Sequence, residues 1–249
     1  MIRTKPIAIV LSLLAALTCR AHALDADEIL ARVDERRAVA PSFRFTIRID
    51  DYERGMLAQS ATMSGSAKGM NKTLVRYEEP ASMRGKKLLM VDDETFFFAP
   101  RTKRPVRLTA SQRLLGQASN GDVMNVRFRC DYSPRIAREE TADTADGPVR
   151  CIVLELAAKR KGSAYASMTL WVSETGYFPV KAECFAASGK LLKTAEYSNI
   201  RVIGGKEVVT KTTLRDTIAR DSRTVIEFTD MTAEEIPDAF FSKDYLMRM

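Results

Sequence analysis

The sequence predicts a mainly β protein of α+β type. It describes a strongly curved antiparallel sheet forming an open or incomplete β-barrel with a helical lid. Three observations predict this. Period-two alternation is clear where Phe43, Phe45, Ile47 and Ile49 interleave with Arg44, Thr46 and Arg48. Strand-like runs follow one another with only short breaks, which suits antiparallel hairpins and leaves no room for parallel crossovers. Helical segments are too few to cover a flat sheet of that size, so its apolar face must be buried by curling.

The elements follow in chain order. Residues 1–23 read as a cleavable export signal: Arg3 and Lys5, an apolar run over 7–17, then Ala21-His22-Ala23. The run is too short to span a bilayer, which takes roughly 20 apolar residues. Cleavage is expected after Ala23. Cys19 lacks the flanking residues of a lipidated cysteine, with Ala16-Leu17-Thr18 before it. Residues 24–249 read as one domain, since no Pro/Ser/Gly-rich linker interrupts them.

A helix is expected over 25–39, with Asp25 as cap, Glu28 three residues on, and Ile29, Leu30 and Val33 in one stripe. Pro41 ends it. After the strand at 43–49, strands are expected over 58–68, 72–78, 86–91, 95–99, 104–108, 125–132, 150–157, 165–173, 179–186, 190–198, 200–203, 206–216 and 222–229. Turn chemistry separates them at Asp92-Asp93, Asp146-Gly147, Gly162-Ser163, Ser188-Gly189 and Gly204-Gly205. Two further helical pieces are expected, one over 110–118 and a turn at 232–235 stopped by Pro237. The helix at 25–39 and the segment at 110–125 are the natural lid.

Composition narrows function. Without Arg3, Lys5 and Arg20 the 39 Lys+Arg fall to 36, against 32 Asp+Glu, a mild net +4 with no clustered basic face. No nucleic-acid partner is expected. The single histidine, His22, lies in the signal. Ser-His-Asp and Cys-His catalysis and histidine metal sites are therefore excluded from the remainder. No motif specifies a carboxylate pair or Ser-Lys alternative. The chain is expected to be no enzyme, with no catalytic residues, no metal and no cofactor. Three cysteines remain, Cys130, Cys151 and Cys184. An odd count in an oxidising compartment allows at most one internal disulfide. Cys151 and Cys184, both in expected strands, are the candidate pair.

A series of segments carries a resemblance. Tyr77-Glu78-Glu79-Pro80 is followed by Arg84-Gly85-Lys86-Lys87-Leu88-Leu89-Met90, the turn Asp92-Asp93-Glu94 and Thr95-Phe96-Phe97-Phe98-Ala99-Pro100. Thr169-Leu170-Trp171-Val172, Tyr177-Phe178-Pro179-Val180-Lys181, Ser188-Gly189-Lys190 and the tail Ile236-Pro237-Asp238 come later. This order resembles the LolA-like outer-membrane lipoprotein-sorting proteins, in particular the single-domain branch associated with RND-type exporters. The resemblance implies a periplasmic monomer. It would shelter the acyl chains of a lipoprotein or other lipid between an inner-membrane RND-type exporter and an outer-membrane acceptor. The alternative within the resemblance is an envelope-stress sensor or regulatory binding module. One departure stands out: the family's Lys-Arg-Pro step, whose arginine latches the lid, is replaced by Lys68-Gly69-Met70.

A sheet that curls without filling its interior leaves an apolar cavity. The candidate lining residues are Phe43, Phe45, Ile47, Leu89, Met90, Phe97, Leu114, Leu115 and Trp171. In the run Phe96-Phe97-Phe98, Phe97 must point opposite to its neighbours.

Overall fold

The computed structural model describes residues 25–101, 104–124, 127–217 and 221–248. The expected export signal and its cleavage point lie outside them. Helix α1 (Ala26–Glu35) opens the described chain with a capping box between Asp25 and Glu28. Four strands follow: β1 (Ser42–Glu53), β2 (Met56–Lys68), β3 (Lys72–Glu79) and β4 (Lys87–Val91). Then come β5 (Glu94–Phe98), β6 (Val106–Leu108), β7 (Arg113–Leu115), β8 (Ala118–Ser119), α2 (Asn120–Val123) and α3 (Phe128–Asp131). The second half is β9 (Tyr132–Thr144), β10 (Gly147–Ala158), β11 (Ser167–Ser173), β12 (Pro179–Phe185), β13 (Leu191–Ile203), β14 (Lys206–Asp216) and β15 (Arg223–Ala233). A 3₁₀ turn (Asp238–Phe241) and α4 (Lys243–Arg248) close it.

Thirteen strands form one antiparallel sheet in the order β6-β5-β4-β3-β2-β1-β15-β14-β13-β12-β11-β10-β9. Among the described residues its ends, β6 and β9, do not pair, so the barrel is open. Curvature follows from the contacts. Laid flat at about 4.8 Å per strand, such a sheet would be nearly 60 Å wide. Yet one apolar cluster joins Leu88 on β4, Leu154 on β10 and Ile29, Leu30 and Val33 on the short α1. The sheet therefore wraps α1 on its inner face. The two ends also meet through loops: Asp93 in the β4–β5 turn contacts Arg160 in the β10–β11 loop.

The outer face buries two smaller clusters. Leu74, Leu89, Phe96 and Phe98 lie under Ile236, Phe241 and Leu246 of the C-terminal segment. Lys68 and Lys87 donate to the carbonyls of Ile236 and Leu246, and Lys72 to Asp238. Further round, Cys151, Val153, Ala142 and Trp171 pack together.

Four sequence expectations change here. The span 110–118 holds no helix. Its middle is β7, and Gly116 in a left-handed conformation (φ 53°) turns it into β8. The strand expected over 125–132 is not found among its described residues, where Phe128–Asp131 form α3. A long strand missed in the sequence, β9, follows it. Of the helical turn expected at 232–235, Thr232 and Ala233 end β15 and Glu234 and Glu235 follow it without regular structure; the helices lie beyond Pro237. Cys151 and Cys184 are free thiols: they sit on opposite faces with β11 between their strands, so no disulfide can join them.

Candidate functional site

The inner face is apolar along nearly every strand. Phe43, Phe45, Ile47 and Ile49 on β1, Met63 on β2, Val75 and Tyr77 on β3, and Leu88 and Met90 on β4 form one wall. Leu154, Leu156, Met168, Leu170, Val172 and Ile226 form the facing one. Period two puts them there, because alternate residues of a strand share a face. Phe45 reaches inward because Gly65 lies opposite on β2, where any Cβ would collide with its ring.

What fills this trough is mostly not sheet. Helix α1 and the described residues 116–124 and 127–128 lie in it, contributing Ile29, Leu30, Val33, Ala118, Val123, Met124 and Phe128. They leave a residual hollow of about 30 Å³ bordered by Arg37, Phe43, Phe45, Tyr197, Phe228 and Met231. That volume takes a water or two, not an alkyl chain. At this point the trough is closed to an alkyl chain, while a larger hollow of about 400 Å³ lies where the sheet ends meet, bordered by Met90, Leu108, Met124, Arg127 and Tyr132.

The filling is held by a few polar fastenings. Asp34 breaks the apolar stripe of α1 and is only 6 % exposed. Its carboxylate accepts the backbone N–H groups of Phe128 (3.1 Å) and Arg129 (3.0 Å), which ties α1 to α3. Burial raises its pKa to about 6, opposed by the positive charge of Arg37 and by those two hydrogen bonds.

Asp122 on α2 is the second fastening. It accepts from the Ser119 N–H and hydroxyl (both 2.8 Å), the Tyr165 hydroxyl (2.5 Å) and the Lys193 ammonium (2.8 Å). Lys193 also donates to the Gln117 carbonyl at 2.5 Å. Burial, followed by the Asp122 charge, holds the Tyr165 hydroxyl well above its ordinary pKa.

The third fastening bridges the sheet ends. Arg127 donates to Asp93 (2.7 Å) and Asp131 (2.9 Å), and Arg160 contacts the same two acids. The fourth needs Gly116, where a side chain would run into Asp51 and Thr224. Thr224 donates to Asp51 and accepts from the Gln117 N–H, each at 2.7 Å.

The candidate lining residues divide. Phe43, Phe45, Ile47 and Met90 are buried on the inner face, Phe97 packs against them half-buried, and Leu114 and Leu115 pack on the same cluster from β7. Leu89 and Trp171 are corrections. Leu89 lies between inward Leu88 and Met90, so it faces out under the C-terminal segment. Trp171 lies between inward Leu170 and Val172 and faces out against Val153. Its indole N–H donates to Glu140, and Lys181 lies 4.1 Å from the ring centroid. Sequence reasoning missed Asp34, Asp122, Lys193 and Tyr197. One signal was available: Lys193, Ala195 and Tyr197 share the inward parity of β13, so a lysine there faces the interior.

Comparison with known proteins places the fold. The LolA superfamily protein NE2245 from Nitrosomonas europaea is 34% identical, with a TM-score of 0.82 over 90% of this chain and 100% of that one. A DUF1329 family protein from Desulfovibrio piger is 19% identical, with a TM-score of 0.76 over 88% and 97%. A domain from Vibrio parahaemolyticus, described as an outer membrane lipoprotein-sorting protein, is 18% identical, with a TM-score of 0.76 over 90% and 98%. A family model described only as "uncharacterized protein"-like matches residues 69–248. No curated protein matches the chain.

Proposed function

This chain belongs to the LolA superfamily, and on that footing we propose that it is an exported, non-enzymatic carrier that encloses an acyl chain in the trough now filled by α1 and residues 116–124. One observation carries the reading: the apolar inner face is covered by short helical and loop segments rather than by a second large sheet. Moving that filling aside trades its apolar contacts for those of a cargo, while the sheet keeps its hydrogen bonds. Each buried CH₂ contributes about 0.8 kcal/mol, so a sixteen-carbon chain supplies on the order of 10 kcal/mol before ordering costs. No covalent chemistry is required of the protein.

The cargo is a lipoprotein or another lipid. The compartment is the periplasm, reached through the signal at 1–23. Transfer runs from an inner-membrane donor, an RND-type exporter, toward an outer-membrane acceptor. The relative described as a lipoprotein-sorting protein supports this reading, as does the resemblance carried by residues 77–100. Native purification followed by mass spectrometry of extracted lipid is the test. Co-purifying lipid, or uptake of a fluorescent fatty acid by the stripped protein, is the expected result. A protein that comes out empty and takes up no probe refutes the proposal.

A further inference from the structure

A second hollow, of about 380 Å³, lies between strands β1–β4 and the C-terminal segment. Its cations come from three strands: Arg44, Arg76 and Lys87. Ser64 and Ser66 on β2 sit among them, and Leu74 and Phe240 add apolar wall. Strand register builds the arrangement, with Arg44 opposite Ser66, Ser64 opposite Arg76, and Arg76 opposite Lys87. All these strand residues share the outward parity of Leu74 and Leu89.

Two of the three cations are paired within the protein and the third is not. Arg76 is held by Glu78 at 2.9 Å, which also accepts from Ser64. Arg44 is held by Glu234 at 2.6 Å. Asp230 also lines the hollow, and its carboxylate accepts from Thr229 at 3.1 Å. Lys87 is only 3 % exposed. Among the described residues its ammonium meets the Leu246 carbonyl at 3.2 Å and the Phe98 ring at 5.6 Å, and no carboxylate. A buried cation without a counter-ion is costly, and like charges facing each other across paired strands are destabilising. An anion between Lys87 and Arg76 removes both penalties.

We infer that this hollow binds a phosphate group, with Lys87 at its floor, Arg76 and Arg44 at its rim and the Ser64 and Ser66 hydroxyls beside them. Phosphate fits because its several oxygens can take guanidinium, ammonium and hydroxyl donors together. Leu74 and Phe240 next to the cations suit a phosphate carried on a lipid headgroup. The same donors would also take inorganic phosphate. The site lies across the sheet from the apolar trough, sharing Phe45 with its wall, and does not rest on the carrier reading.

The test compares the intact protein with Arg76→Gln and Lys87→Met. Titration uses inorganic phosphate in one arm. Vesicles of phosphatidylglycerol with phosphatidylcholine, against phosphatidylcholine alone, form the other. Arg76 is half-exposed, so Arg76→Gln keeps the test valid if Lys87→Met fails to fold. Each substitution is expected to weaken binding about tenfold, while fatty-acid uptake by the trough stays unchanged. Binding to phosphatidylglycerol vesicles identifies a headgroup site, and binding to phosphate without vesicle binding identifies a free-anion site. Binding in neither arm, or binding that survives Arg76→Gln undiminished, overturns the inference.

Discussion

Lys193→Met is the perturbation that most directly tests how the interior is closed. Lys193 is 8 % exposed and joins the Asp122 carboxylate at 2.8 Å and the Gln117 carbonyl at 2.5 Å. Methionine keeps the length of the stem and removes the charge. Asp122 then stays buried with Ser119 and Tyr165 as donors and no cation. Breaking a buried ion pair from one side costs about 3–5 kcal/mol. The loss falls on the segment Lys193 holds, not on the sheet, because strand ladders do not depend on that ammonium. Each 1.4 kcal/mol is tenfold, so opening of residues 116–124 should become about a hundred to a few thousand times more frequent. Hydrogen exchange reads this directly: amides of 116–124 lose protection while β1, β2 and β11 keep theirs. Adding Asp122→Asn should restore much of the loss, because it removes the stranded charge. Exchange that rises uniformly over the strands, or a variant within about 0.5 kcal/mol of the parent, would refute the reasoning.

Other outcomes follow from the same geometry. Asp34 has a folded pKa of about 6 against an ordinary 3.8, so folding takes up a proton between those values. Its contribution to stability grows as pH falls from above 6 toward 4 and is lost as pH rises through 6, by up to about 3 kcal/mol. Urea midpoints across that window should show the gain, and Asp34→Asn should flatten it. Leu30→Ala removes a fully buried side chain between α1 and the trough and should cost about 2–5 kcal/mol in chemical denaturation. Alkylation of the native protein should label Cys130 and spare Cys151 and Cys184, which are buried and whose pKa values burial raises. All three should react after unfolding without reductant, and a protected pair would contradict the placement of those thiols on opposite faces.

Much of the fold was legible because strand periodicity is a local property. The alternation from Phe43 to Ile49 and the split of Phe97 from Phe96 and Phe98 were readable residue by residue. The missed strand β9 is an edge. Its Arg135, Arg138, Glu139 and Glu140 are charged because one side of it meets solvent, so apolar alternation is absent. Residues 110–118 misled because adjacent Leu114 and Leu115 suit a helix, and only contact of Gly116 with Asp51 and Thr224 fixes the turn.

The inner face was legible in its apolar positions. Leu89 and Trp171 were assigned inward because hydrophobicity was taken to mean the interior, while strand parity places both outside. The outer face also buries apolar side chains, under the C-terminal segment and around Cys151, which composition alone does not reveal. The polar fastenings join residues far apart in sequence, such as Asp34 with Phe128 and Asp122 with Lys193. No local pattern announces such pairs.

The central claim is that an acyl chain lies in the trough beneath α1. Photo-cross-linking of a diazirine fatty acid to the delipidated protein, with the labelled residues mapped by mass spectrometry, tests it most directly. The account predicts labels on inward residues such as Phe43, Ile47, Met90 and Leu114, more of them in Lys193→Met, and none on Leu89 or Trp171. Labels confined to the outer face, or no labelling in either protein, would contradict it.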